Sequence, residues 1–264
     1  MSESAQRQAA LLTRDDPDPV EIINPGGNSP FVLTCEHAGR AIPSRLGDLG
    51  IPAAEMERHI AYDIGAEGLS RCLSALIDAP LALQRYSRLV VDCNRPFEAE
   101  DCFPEISDGT VIPANKGLTP SERKQRFDEI HRPLHDAIAA LLDDRQRRGT
   151  PAILISVHSF TPRLFDKDRP WHLGLLANRD RSFAEKFMAS FAAANPGIVA
   201  AHNEPYYVDD ISDYTIPVHG ERRAIPHVLL EIRNDEISDA EGQARWASLI
   251  AETLLSTTGS LKQD

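Results

Sequence analysis

Two histidines, His37 and His158, each close a run of apolar residues. Phe31-Val-Leu-Thr-Cys precedes Glu36-His37, and Ile153-Leu-Ile-Ser-Val precedes His158. A polar group at the end of a buried strand costs desolvation unless it meets a metal, an ion pair or a hydrogen-bond partner. One histidine there is most often a satisfied structural residue. Two histidines, a glutamate and an arginine closing different runs are harder to explain that way, and Glu231-Ile232-Arg233 follows the run Val228 to Leu230. A catalytic zinc takes about three protein ligands from His, Asp and Glu and keeps one position open for water. His37 and His158 are the first two. Glu36 neighbours His37, and adjacent strand residues face opposite ways, so the pair can share one ion only if the strand has already turned. Asp63 avoids that difficulty and is the preferred third ligand, with Glu36 the alternative. Glu231 is the candidate general base of such a hydrolytic site. Its structural alternative is an ion pair with Arg233, two residues on along the same strand face.

These residues must be positioned by alternating elements. The continuous apolar runs Phe31–Cys35 and Pro151–Val157 predict buried strands, and Leu81–Tyr86, Arg88–Cys93, Leu173–Ala177, Ile198–Ala201 and Val228–Ile232 predict further ones. Apolar residues at Ile60, Ile64, Leu69, Leu73 and Leu76 predict a helix over 53–77. Thr119-Pro-Ser-Glu122 reads as a capping box with proline at the first helical position, opening a helix to about Arg147 that Pro133 can kink. Helices are also expected over Ser182–Ala194 and Asp239–Thr257. Strands alternating with helices imply an α/β fold, a three-layer αβα sandwich around a mostly parallel mixed sheet. Residues 1–28, ending in Asn-Pro-Gly-Gly-Asn-Ser-Pro, read as an N-terminal arm before one domain over 29–264.

Composition narrows the partners. The 264 residues are 42% hydrophobic, enough for a sizeable core, and carry a net charge of −12. That charge argues against nucleic-acid binding, which needs a basic footprint. An anionic substrate would have to be drawn in by local arginines. No segment reads as a signal peptide or a membrane span, and the four cysteines show no Cys-x-x-Cys spacing, so a cytoplasmic protein with free thiols is expected. Oligomeric state is left open.

Five segments in order, Glu36-His37-Ala38-Gly39, Tyr62-Asp63-Ile64-Gly65-Ala66, Tyr86 to Arg95, Ser156-Val157-His158-Ser159 and Glu231 to Asp235, resemble the N-formylglutamate amidohydrolase family. The resemblance spans the chain from about Phe31 to the last helix. Many members carry Pro-His-Ser-Gly at the first motif, where this chain has Glu-His-Ala-Gly. The family is similar to zinc carboxypeptidases and to zinc amidases that trim cell-wall peptides. The resemblance implies a phosphorylase/hydrolase-like fold and zinc-assisted hydrolysis of a small anionic N-acyl amino acid, N-formyl-L-glutamate first. By the same resemblance His37 and His158 match the metal histidines, Asp63 the acidic ligand and Glu231 the catalytic carboxylate. Another divalent metal remains open, as do an aminoacylase or peptidase with a different N-acyl substrate and a non-catalytic relative.

A dicarboxylate substrate calls for guanidinium groups, which grip carboxylates bidentately. Asn94-Arg95 looks like the pair that carboxypeptidases use on a terminal carboxylate. Arg88 and Arg233 are further candidates, with pairing to Asp92 an equal reading for Arg88. Tyr214 and His219 lie in a stretch that also resembles the family and are candidate substrate contacts. His131 and His135 have the zincin spacing but lack its glutamate, so a hydrogen-bonded pair is the better reading. The segment 160–170, with Arg163, Lys167 and Arg169, reads as a basic flap or an ordinary loop. Asn178-Arg-Asp is a further candidate for the cleft border.

Overall fold

The computed structural model describes residues 10–261. In chain order its elements are β1 (Val20–Ile23), β2 (Phe31–Cys35), α1 (Ala66–Ile77), β3 (Leu81–Gln84), β4 (Ile106–Ser107), β5 (Thr110–Val111), α2 (Pro120–Arg126) and α3 (Arg132–Arg148). Then follow β6 (Ile153–Phe160), β7 (Arg163–Leu164), β8 (Lys167–Asp168), β9 (Leu173–Leu176), α4 (Ser182–Ala194), β10 (Ala200–His202), β11 (His227–Arg233) and α5 (Ala240–Leu261). Seven strands form one sheet in the order β1-β3-β2-β6-β11-β9-β10. Pairs β3–β2, β2–β6, β6–β11 and β9–β10 are parallel, while β1–β3 and β11–β9 are antiparallel. The mostly parallel mixed sheet expected from the alternation is therefore what the chain forms.

Strands buried on both faces need apolar residues throughout, which is why β2, β6 and β11 read as continuous runs. Phe31, Leu33, Ile155, Val157, Leu230 and Ile232 face a core shared with Leu69 and Leu73 of α1, Phe187 of α4 and Trp246 of α5. Val32 and Ala82 face the opposite core, with Ile130, Leu134 and Ile138 from the α3 side. Among the described residues no helix is long and apolar enough to cross a membrane, and the four cysteines are free.

Several expectations are corrected. Arg88–Cys93 is not a strand: after Gln84 the chain turns, with the Val90 amide bonded back to the Ser87 carbonyl. Val90 and Val91 are apolar because they fill a core, not because they are extended. The helix over 53–77 begins only at Ala66, after a short 3-10 turn at Ala53–Glu57. Ile60 and Leu69, read as one helical stripe, belong to cores on opposite faces of the sheet. Gly65 makes that break possible: its φ is +81°, and a Cβ there would fall 2.1 Å from the Ile237 carbonyl oxygen.

The 119–147 helix starts with the expected Thr119/Glu122 capping box, but a π turn at Phe127–His131 divides it just before Pro133. The N-terminal arm is also revised, since Val20–Ile23 pairs along β3 as an edge strand. Leu11 is buried, and the Leu11 and Leu12 amides donate to the Glu129 carboxylate. Residues 1–9 of that arm lie outside the described residues.

Candidate active site

The carboxyl ends of β2, β6 and β11 converge on one face of the sheet, where open α/β folds place their ligands. Parallel register sets Glu231 beside His158 and Leu229 beside Ser156. β2 ends at Cys35, so the chain has turned by His37. Glu36 and His37 can then both reach His158, Glu36 at its Nε2 and His37 ring against ring. The two imidazoles meet edge to face with centroids 4.8 Å apart.

Asp63 sits between the rings, its Oδ2 2.9 Å from His158 Nδ1 and 3.5 Å from His37 Nδ1. Each ring is held from behind by a second carboxylate. His37 Nε2 lies 2.8 Å from Asp92 Oδ1, and His158 Nε2 lies 3.0 Å from Glu36 Oε2. Glu36 is itself fastened by the hydroxyls of Thr34 at 2.7 Å and Ser156 at 2.9 Å. Carboxylates behind ligating histidines fix ring orientation and raise basicity. His37, Asp63 and His158 offer ligand atoms within 4.8 Å of one another, and Glu36 is not of that group. His37 Nδ1 is buried with no hydrogen-bond partner. A buried, unpartnered imidazole nitrogen beside a carboxylate and a second imidazole is a donor set that fits a zinc-like divalent cation.

The charges agree with such a site. Burial works to raise the Asp63 carboxyl, but the charge of His37 and the bonds from His158 outweigh it and hold it well below the usual range. Asp92 is held low in the same way, against burial, by Arg88 and His37. Glu231 goes the other way. Burial pushes its carboxyl up to about 8, Asp63 adds to the effect, and His158 and Arg88 oppose it. Its Oε2 is buried with no hydrogen-bond partner. Opposite Glu231 on β9 stands Gly174, where a Cβ would fall 1.9 Å from the Glu204 carbonyl oxygen. Only glycine at 174 lets the chain at Glu204 approach the strand beside Glu231 so closely.

A cleft of about 510 Å³ opens above this cluster. The β4–β5 turn contributes Ile106 to Asp108 and the β7–β8 hairpin contributes Leu164 and Phe165, so the stretch read as a flap or loop is a hairpin on the cleft wall. Arg88 and Arg95 both line it. Arg88 bonds to Asp92 Oδ2 at 2.7 Å and to Asp63 Oδ1 at 3.3 Å, so its two readings coexist. Arg95 donates to the Ser212 carbonyl and Asp101 and lies 3.7 Å from Asp213. Asn94 lines the cleft, but its amide is committed to fastening the loop that follows β10: it donates to Asp213 and accepts from the Thr215 amide.

Three proposed substrate contacts are placed elsewhere. Arg233 turns outward to Asp235 and Glu236, because β11 ends there and the following 3-10 turn presents those carboxylates. It pairs with neither Glu231 nor the cleft. Tyr214 and His219 do not line the cleft; they pack with His131 and His135 beneath the π turn. Asn178 and Arg179 bond to Glu221 around a separate small hollow.

The histidine cluster has one consistent protonation pattern. His135 Nε2 donates to the Cys93 carbonyl, leaving Nδ1 to accept from His219 Nε2 at 3.0 Å. His131 Nε2 donates to the Arg95 carbonyl. All three rings are neutral, and burial holds their imidazoles down, to about 2 for His131, 4 for His135 and 3 for His219. Unfolded histidines take up protons below about pH 6.5 that these folded ones refuse. Their contribution to stability is therefore complete above that pH and is lost as pH drops, by up to about 1.4 kcal/mol per pH unit for each histidine. Urea unfolding from pH 7 to 5 should show His219→Gln losing less stability than wild type, by one histidine's share. An unchanged slope in the variant would count against the assignment.

Some contacts of the site have no signal in the sequence. The bond from Ser156 to Glu36 joins β6 to the end of β2. Tyr206 lies in a loop with no motif of its own. Asp92 closes the run Leu89 to Val91 and is legible as a partner for Arg88, but its bond to His37 depends on a turn where a strand is expected.

The model of the N-formylglutamate amidohydrolase family matches residues 29–238. An N-formylglutamate deformylase of Pseudomonas putida is 28% identical over 191 residues, 64% of this chain and 68% of its own length. Among solved structures, a gene product of Agrobacterium tumefaciens is 32% identical with a TM-score of 0.92, covering 96% of this chain and 99% of its own. An N-formylglutamate amidohydrolase from Ralstonia eutropha, 16% identical, shares the fold with a TM-score of 0.65 over 94% of this chain and 99% of its own. With four-fifths of its length matched by the family model, including the segments that build the cleft, the chain belongs to the N-formylglutamate amidohydrolase family, hydrolases of amide C–N bonds.

Proposed function

We propose that the chain hydrolyses N-formyl-L-glutamate to formate and L-glutamate with a divalent metal, zinc first, held by His37, Asp63 and His158. The observation that carries this reading is the pairing of a fixed His–Asp–His donor set with a buried, unpartnered carboxylate on the adjoining strand. When bound, such a cation lowers the pKa of water and polarises a carbonyl. The chain's own residues do the rest. Glu231, raised to about 8 by burial, is suited to take a proton from the attacking water and deliver it to the amide nitrogen as the C–N bond breaks. Arg88, anchored to Asp63 and Asp92, places a fixed positive charge where the formyl oxygen becomes negative. Arg95, held on the same wall, meets the α-carboxylate. Asp92 and Glu36 keep the two imidazoles aimed at Asp63.

The test is release of formate from N-formyl-L-glutamate by the purified protein, with N-acetyl-L-glutamate and N-formyl-L-methionine as comparisons. Activity should vanish on chelation and return with zinc. Turnover of N-acetyl but not N-formyl substrates would move the reading to an aminoacylase. Full activity in metal-free protein would remove the metal from it.

A further inference from the structure

Two arginines line the cleft, Arg88 and Arg95, and both are already matched. Arg88 faces Asp63 and Asp92, and Arg95 faces Asp101 and Asp213. A substrate carboxylate at either must compete with a carboxylate of the protein. Arg169 differs. Among the described residues no carboxylate lies within ion-pair distance of it. Its Nη1 donates to Tyr206 Oη at 3.0 Å and approaches Thr161 Oγ1 at 3.5 Å. Its guanidinium lies 4.9 Å from the Tyr206 ring centroid and 6.0 Å from that of Phe160. Thr161, Phe160 and Tyr206 all line the cleft.

The stacking does structural work for recognition. Arg169 follows the β7–β8 hairpin, and two aromatic faces hold its guanidinium without neutralising it. The Tyr206 oxygen accepts from Arg169, so its own O–H is left to donate. The pair thus offers a carboxylate a guanidinium N–H and a phenolic O–H from one side, the charge-assisted arrangement that binds carboxylates well. Tyr206, Phe160 and Thr161 line the same cleft as Glu231, which puts the pair in the space that holds the reacting centre.

We propose that Arg169 and Tyr206 bind the side-chain carboxylate of an acidic N-formyl amino acid. This rests on the N-formyl amino acid reading above and adds the residues that select glutamate among such substrates. The chemistry of the substrate assigns the two carboxylates to different walls. The α-carboxylate is two bonds from the scissile nitrogen, so a group beside the metal-ligand cluster must hold it, where Arg95 stands on the Asp92 segment. The side-chain carboxylate is set off by two methylenes and can reach the hairpin wall. In a protein of net charge −12, an unmatched guanidinium there also lowers the barrier to entry of a dianion.

The experiment compares kcat/KM for N-formyl-L-glutamate and N-formyl-L-glutamine in wild type, Arg169→Met and Arg169→Lys. In Arg169→Met the preference for the glutamate substrate should fall about 10- to 100-fold, mostly through KM, because one charge-assisted contact is lost. Arg169→Lys should recover part of it, and Tyr206→Phe should show a smaller loss of the same kind. Equal losses on both substrates, or none, overturn the proposal. A wild type that fails to release formate would instead sink the functional reading. In that case Arg169 is tested by calorimetry with glutarate, a dicarboxylate with no scissile bond. Affinity about tenfold weaker in Arg169→Met supports the role, and unchanged affinity overturns it.

Discussion

Glu231→Gln lowers kcat on N-formyl-L-glutamate by about 10³-fold, with KM and metal content close to wild type. General acid–base catalysis by a positioned side chain contributes about 10²- to 10⁴-fold. Glutamine keeps the shape and burial of residue 231 but can no longer accept a proton from water. The side chain is a favourable place for that substitution because Oε2 has no partner to lose. Stability should hold or rise, since a buried carboxylate without a partner is costly and a neutral amide is less so.

The pH profile gives a second readout. Burial raises the Glu231 carboxyl to about 8, so its basic form grows as pH rises, and the acid limb of the wild-type profile carries that titration. A cation at the neighbouring ligands favours the carboxylate and moves the limb below 8. The limb should be absent in Glu231→Gln. A variant retaining more than about a tenth of wild-type kcat, with its acid limb intact, would show that another group is the base.

His158→Ala is the second large effect. It removes one of the two imidazoles proposed as ligands and leaves Asp63 and Glu36 without the ring they share. Metal binding should fall to a small fraction of one equivalent by elemental analysis, with loss of activity of at least about 10³-fold, as expected when the metal chemistry goes. Stability should also fall, by about 3–5 kcal/mol, because breaking a buried charged pair leaves uncompensated carboxylates. A milder companion separates metal affinity from folding. Asp92→Asn keeps the shape behind His37 but weakens the acceptor for its Nε2, and partners of that kind are worth about 10–100-fold in metal affinity. If His158→Ala retained a full equivalent of metal and measurable turnover, the ligand set would be wrong.

The candidate ligands and base were legible in the sequence because burial and polarity conflict at their positions. A histidine closing Ile-Leu-Ile-Ser-Val, or a glutamate within Val-Leu-Leu-Glu-Ile, carries a desolvation cost that one chain of letters already displays. The strands were legible for a related reason: β2, β6 and β11 are buried on both faces, so each carries an apolar run up to the polar groups that close it. The same signal misled at Leu89–Val91, where burial is as complete but the backbone turns. Hydrophobicity reports burial and leaves conformation open when the run is short.

Other parts had no local signature. Ile60 and Leu69 fit one helical stripe, yet Gly65 breaks the chain between them and sends them to opposite sides of the sheet. Tyr214 and His219 sit in a motif-like stretch but fill a space beneath the π turn. Arg233 and Arg169 are equivalent letters until the fold supplies Asp235 to one and Tyr206 to the other.

For this protein, then, the sequence by itself determined which residues were candidates for the site: His37, His158, Asp63 and Glu231, each polar in an apolar frame or held in a family motif. Tertiary structure decided the partnerships. Asp63 rather than Glu36 stands between the imidazoles, Asp92 and Glu36 hold the rings from behind, and both arginines that line the cleft are already matched. The reason is physical. Desolvation cost is a property of one side chain and its neighbours along the chain. Charge pairing depends on distances set by segments as far apart in sequence as residue 36 and residue 158.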